Sequence, residues 1–405
     1  MCFQRTFLYM EEKKKNRILS ESTLDKFSML SNMTTEAFVE LLNDVYSAKY
    51  PKHTDKITSK QIFFFVHHSE EMYREFSIKK KSGKLRTISA PQPRLKLIQE
   101  LISEILVELY KPVDGACGFI RDANITDGAK KHTNQHFVLN IDLKDFFDSF
   151  EWYQVRNSLV REFNINEKIA NLIASLCCYK HEVERLIDGE YKRVERNVLP
   201  QGAPSSPILT NILCSTLDRR LSGLAKKYGA NYSRYADDIT FSHSKNIFKE
   251  GSAFRKQLAE IIEATPHLHT NNEKTRLQGR RYRQEVTGII VNEQTNVPKR
   301  YINQIRKWLY LWEHYGYQRA DEYFTPFYLK DKGHLHKNCS GLDRVLEGKL
   351  NYLKMVKGAE SPTYLKLRQR YLNLTGRKPN NILDNNTNVD NISVYDILQM
   401  LIDTM

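Results

Sequence analysis

The chain has no Cys-x-x-Cys pair. Its cysteines stand at positions 2, 117, 177, 178, 214 and 339, and none joins a histidine at zinc-ligand spacing. That excludes a zinc module, and the cysteines read as reduced, mostly buried thiols in a cytosolic protein. No apolar run approaches the ~20 residues of a membrane-spanning helix, so no membrane partner is expected. Met1 to Tyr9 holds a few apolar residues and then gives way to Glu11-Glu12-Lys13-Lys14-Lys15. A secretion signal needs an apolar core and a cleavage site, and neither is present. Repeats of solenoid period are also lacking. The stretch from Asn380 to Met405 contains Asp384, Asp390, Asp396 and Asp403 but no lysine or arginine.

What is abundant is positive charge. The 405 residues carry a formal net charge of +14, with a sequence pI near 9.3. Such an excess favours a polyanionic partner, nucleic acid first among them, and predicts salt-dependent binding. The length suits two or three subdomains on a shared core.

Two adjacent carboxylates stand out in Tyr235-Ala236-Asp237-Asp238. Apolar or aromatic runs on both sides predict two short strands with Ala236-Asp237-Asp238 at the turn. Such acids repel unless a hard cation sits between them, and Mg²⁺ prefers carboxylate oxygens. An ordinary Asp-rich turn is the competing reading. A third acid, Asp142, ends the apolar strand that begins at Phe137, where a rigid element would hold it as a ligand. Asp142, Asp237 and Asp238 would serve two Mg²⁺ ions about 3.5–4 Å apart, the arrangement of in-line phosphoryl transfer. Phe147 could wall a sugar pocket or simply pack in the core. Asp145 and Asp148 read as helix-start or surface acids. The turn-rich Leu199-Pro200-Gln201-Gly202-Ala203-Pro204 runs into a helical pattern from Ile208. There Gly202 lets backbone approach a ligand, and Gln201 offers hydrogen bonds beside a nucleotide.

Asp142 with Phe147, Gln201-Gly202-Ala203-Pro204-Ser205-Ser206-Pro207 and Tyr235-Ala236-Asp237-Asp238 follow one another in an order that resembles the palm motifs of reverse transcriptases. Phe76 to Pro91 resembles the fingers hairpin of that family. The resemblance implies that Lys79, Lys80 and Arg86 present cations to an incoming triphosphate. Asn271-Asn272-Glu273-Lys274-Thr275 resembles the motif after the palm. There a lysine near the pyrophosphate serves as general acid; the competing reading is a solvated surface lysine. Tyr235 would support the primer end. Within the family the wording is similar to the retron group, through Val198 to Pro207, Tyr235 to Ser242, Val286-Thr287-Gly288, and Ala129 with His132. The Asn that opens that last retron element is Gly128 here. His132 reads equally as a satisfied structural histidine.

The expected fold is α+β, a right-hand polymerase of fingers, palm and thumb, with a helical N-terminal extension and a helical C-terminal thumb. The divisions are an extension at 1–60, fingers at 61–135, palm at 136–297, thumb and RNA-binding region at 298–378, and an acidic Asn-rich tail at 379–405. In the thumb, Trp308 and Trp312 lie one helical turn apart and read as core, with Arg300, Arg306 and Lys307 left to phosphate. The resemblance implies an RNA-directed DNA polymerase of a bacterial cytoplasm. It would copy part of a cognate noncoding RNA into branched single-stranded DNA from a 2′-hydroxyl, using deoxynucleoside triphosphates and two Mg²⁺. It further implies antiphage defence with a separate effector protein. The alternatives are an abortive-infection or group II intron-like reverse transcriptase, or an RNA-binding scaffold.

Overall fold

A computed structural model describes residues 20–53, 55–79, 85–331 and 341–376. Lys80 and the acidic tail, both singled out above, lie outside the described residues. Two compact units divide the chain. One comprises residues 1–124, 141–239 and 248–275; the other comprises 125–140, 240–247 and 276–405.

The first unit opens with helices. Thr34 caps Thr35–Lys49 by accepting from the Ala37 amide at 3.2 Å, and Thr58 with Gln61 forms a capping box on Ser59–His67. Pro93 starts the helix Pro93–Leu109, where a missing N–H costs nothing. Leu95, Ile98, Leu101, Ile102 and Ile105 repeat at helical spacing and are buried. Strands β1 (Tyr73–Lys79) and β2 (Leu85–Pro91) pair antiparallel, Phe76 opposite Ile88 and Lys79 opposite Leu85.

The strand β3 (Phe137–Leu143) alternates buried and half-exposed positions, with Leu139, Ile141 and Leu143 inside and Asn140 and Asp142 on the other face. A longer hairpin follows, β4 (Tyr179–Ile187) and β5 (Glu190–Val198). Its tip, Asp188-Gly189, has positive φ at both residues, the geometry that matches strand twist in a two-residue turn. Helices Ser206–Leu213 and Ser215–Tyr228 lead to β6 (Asn231–Tyr235) and β7 (Asp238–His243). Gly229, at φ 65°, ends the second of these helices in the left-handed region. With β8 (Thr270–Gly279) these strands form a four-stranded sheet in the order β6-β7-β3-β8.

In the second unit β9 (Glu285–Val286) and β10 (Ile289–Ile290) form a minimal hairpin around Thr287-Gly288. Both turn residues again have positive φ. The rest is helical: Lys299–Asp331, Leu342–Lys357 and Pro362–Thr375. The first is broken at Gly316, whose φ of 77° is non-helical. Leu342, Leu346, Leu350, Leu353 and Val356 form a continuous buried stripe on the second. Among the described residues, no helix is long and apolar enough to cross a membrane.

Candidate active site

Strand β6 delivers the carboxylate turn. Between β6 and β7 only Ala236 and Asp237 remain, and Ala236 is buried at φ 53°. A non-glycine residue in this region is strained and persists only where its surroundings fix it. The fixing groups lie directly behind it. Arg234, with no side-chain exposure, donates from Nη1 to the Ala236 carbonyl at 3.0 Å. Its Nε and Nη2 grip both oxygens of buried Asp218 at 2.7 Å, and Nη2 also donates to Asn211 Oδ1 at 3.1 Å. Tyr232 donates its hydroxyl to Asp218 at 2.7 Å, and Asn211 donates to the Gly118 carbonyl at 2.7 Å. A Cβ on Gly118 would stand 3.1 Å from the Ala236 amide, so the turn is packed from that side too.

The amide of Leu143 donates to the Asp237 carbonyl at 3.1 Å, which brings the end of β3 beside the turn. Asp142 and Asp237 therefore share one site. Burial, then the Asp142 carboxylate, pushes the Asp237 carboxyl up, while Lys274 and Arg86 pull it back. Lys274 Nζ lies 2.9 and 3.0 Å from the two Asp142 oxygens, and Asn271 Nδ2 lies 3.1 Å from Oδ2. Arg86, on β2, is thus one of the cations acting on the site.

The nucleotide-loop candidates come close to β2. The Ser89 amide donates to the Gln201 carbonyl at 2.9 Å. Gly202 has φ 129°, and a Cβ there would stand 2.8 Å from Ile88 Cγ2 and 3.1 Å from the Ser89 carbonyl. Only glycine fits that approach. Phe147 is half-buried against Phe146, with centroids 5.6 Å apart. Tyr235 packs on Phe119 at 5.5 Å. Lys79 closes β1.

Asp145 and Asp148 are not helix-start acids. They sit in a run of turns from 144 to 149, because Asp145 takes φ 43° and no helix begins there. Asp145 is exposed, but Asp148 is not an ordinary surface acid. Burial raises its carboxyl to about 6.

The remaining candidates lie in the second unit. Val286 is buried and Thr287-Gly288 forms the β9–β10 turn. Arg300, Arg306 and Lys307 are exposed on the Lys299–Asp331 helix, while Trp308 and Trp312 are buried. Lys307 Nζ rests 5.0 Å from the Trp308 ring. Ala129 and His132 are fully buried, and His132 Nδ1 lies 2.8 Å from Ser242 Oγ. Burial lowers its imidazole to about 3. The ring is neutral and internal.

Among the described residues, no group of three or more His, Cys, Asp and Glu side chains is gathered as a metal cage. The site instead offers two neighbouring carboxylates, Asp142 and Asp237, followed in sequence by Asp238 at the start of β7. Hard carboxylate oxygens on fixed backbone fit a hard divalent cation. The sequence reading passed over Asp218, Asn211 and the anchoring role of Arg234. Asp218 had a signal: it falls within the apolar stripe of Leu217, Leu221 and Leu224, where a carboxylate requires a partner.

Comparison with known proteins identifies the family. The reverse transcriptase (RNA-dependent DNA polymerase) family matches residues 78–291. The retron Mx162 reverse transcriptase of Myxococcus xanthus is 36% identical over 253 residues, covering 58% of this chain and 51% of that protein. The retron Ec86 reverse transcriptase of Escherichia coli is 32% identical over 241 residues, covering 59% of this chain and 69% of that protein. The match thus spans about half the length of the Myxococcus relative. A solved telomerase chain from Candida albicans aligns over 91% of this chain and 71% of its own, with TM-score 0.43 and 11% identity. Proteins with this domain generally use divalent metal ions. By the span of the family match and the identity to Ec86, the chain belongs to the reverse transcriptases, and within them to the retron type.

Proposed function

We propose that the chain is an RNA-directed DNA polymerase. It copies part of a cognate noncoding RNA into a short DNA joined to that RNA by a 2′,5′ branch. The observation that carries the reading is the meeting of two strand ends: the Leu143 amide donates to the Asp237 carbonyl at 3.1 Å, which sets Asp142 beside Asp237, and Lys274 Nζ lies 2.9 Å from Asp142. Similarity to retron relatives supports the branched product.

Asp142, Asp237 and Asp238 would hold two Mg²⁺. Bound there, the ions would lower the pKa of the primer hydroxyl and neutralise charge on the triphosphate. The chain's own residues do the rest. Arg86, with Lys79 or Lys80, holds the triphosphate, and Gln201 with Gly202 gives the nucleotide a close backbone wall. Phe147 sets the sugar pocket, and Tyr235 supports the primer. The hydroxyl gives its proton to water and its oxygen attacks the α-phosphorus, the bond from that phosphorus to the α,β-bridging oxygen breaks, and pyrophosphate leaves with Lys274 as its proton donor. Thr287, Gly288, Arg300, Arg306 and Lys307 would contact the primer, template and RNA, while Val286, expected to join them, is buried and supports their turn from inside. The setting is a bacterial cytoplasm, and the role is antiphage defence with a separate effector protein.

The test is primer extension on an RNA template. Asp237→Ala is expected to cut deoxynucleotide incorporation by about a thousandfold or more while RNA binding stays within about threefold. Wild-type extension by that variant would overturn the metal assignment. Expression with native flanking DNA, followed by denaturing gels before and after RNase and debranching enzyme, tests the product. Linear DNA insensitive to debranching would move the chain away from the retron reaction. An RNA-binding scaffold would give no DNA from either protein.

A further inference from the structure

Both oxygens of Asp142 are already engaged. Lys274 Nζ reaches them at 2.9 and 3.0 Å, and Asn271 Nδ2 adds a bond to Oδ2 at 3.1 Å. Both partners come from β8. A carboxylate oxygen has about two lone-pair sites, so Oδ2 is saturated by these two donors. A divalent cation such as Mg²⁺ sits about 2.0–2.1 Å from its carboxylate oxygen. Placed on Asp142 with Lys274 unmoved, it would stand within a few ångströms of an ammonium, and two cations at that range repel strongly. Ammonium and metal therefore compete for one carboxylate. The burial pattern shows which partner can leave. The Asp142 side chain is 13% exposed and fixed on a strand, whereas that of Lys274 is 55% exposed on a flexible stem.

We propose that Lys274 is a resident counter-charge of the catalytic carboxylates: it screens Asp142 from Asp237 until a divalent cation takes its place, and that exchange frees the ammonium for the leaving group. The proposal rests on the reading of Asp142 as a metal ligand. It gives Lys274 a duty in the resting protein that proton donation alone does not require. The empty site is kept from charge repulsion, metal is held weakly until substrate arrives, and the acid is mobilised by the same event that readies the site.

Mn²⁺ binding without nucleotide, followed by the electron paramagnetic resonance of the free ion, tests it on the full chain. Lys274→Met should bind Mn²⁺ about fivefold more tightly than wild type, the weight of one partly exposed ion pair. Lys274→Arg, which keeps charge and donors, should stay within about twofold of wild type. Asp142→Asn should weaken binding by about tenfold or more. In wild type, Mn²⁺ should increase acylation of Lys274 as read by peptide mass spectrometry. Unchanged or weaker Mn²⁺ affinity in Lys274→Met, with Asp142→Asn still impaired, would overturn the exchange and leave the metal site standing. Wild-type affinity in Asp142→Asn would overturn both.

Discussion

Arg234 is the largest fully buried side chain described, and its fork serves the Asp218 carboxylate, the carbonyl of Ala236 and the Asn211 side chain. A lysine in its place would keep the charge but lose the planar bidentate geometry. Removing good partners from a buried ion costs about 3–5 kcal/mol. Arg234→Lys is therefore expected to lower stability by about 3 kcal/mol in denaturant unfolding. It should also slow single-turnover extension by about tenfold or more in the fraction that remains folded. A variant that loses stability but keeps its rate would show that the anchor serves the core and not the turn. His132 supplies a pH signature. Its folded pKa, about 3, lies below the ordinary value of 6.5, so the native state binds the proton less readily than the unfolded chain. Stability from this group is full above pH 6.5 and is lost as pH falls toward 3. Unfolding midpoints across that range should fall more steeply for wild type than for His132→Asn, by about 1 kcal/mol per pH unit.

At the scale of elements, the nucleotide loop is set by one close approach. Gly202→Ala must push against Ile88 and the Ser89 carbonyl at a φ that side chains avoid. The variant should lose about 1–3 kcal/mol and raise the KM for deoxynucleotides more than it lowers kcat, measured by steady-state extension. The strands around the carboxylates were legible in sequence because they are rich in apolar residues: 137–142 is observed as 137–143, and the strand expected after the turn is observed as 238–243, so Asp238 stands in the strand and not in the turn. The β4–β5 hairpin was not read. Its Asp188-Gly189 turn signal is plain, but His181, Arg185, Lys192 and Arg196 stand on the face shared with Tyr179, Val183 and Val198, where apolar residues would mark a strand. Tyr179, Val183 and Val198 form its apolar tie to the core, and buried Arg185 adds a bond to Glu151 at 2.8 Å. The motif Val286-Thr287-Gly288 is the bend of a hairpin, because Thr287 and Gly288 both take positive φ. The nearness of Asp142 to Asp237 was legible because their residue types and strand-end positions carry the pattern. The Arg234–Asp218 anchor was obscured because it joins residues sixteen positions apart through a packing that local pattern does not encode.

For the whole molecule, the thiols show how settled the interior is. Cys117, Cys177, Cys178 and Cys214 are buried thiols, and burial pushes Cys177 and Cys214 up to about 12. They should resist alkylation until the protein opens. The anchor behind the carboxylate turn belongs to the same interior. Active sites built on surface loops often fail on warming well before the scaffold melts. Here the turn hangs from an ion pair in the core. Heat inactivation, thiol exposure and loss of secondary structure in the first unit should then coincide in one transition when extension, alkylation and circular dichroism are followed together. An enzyme wired this way passes from working to unfolded without a folded but idle form between them.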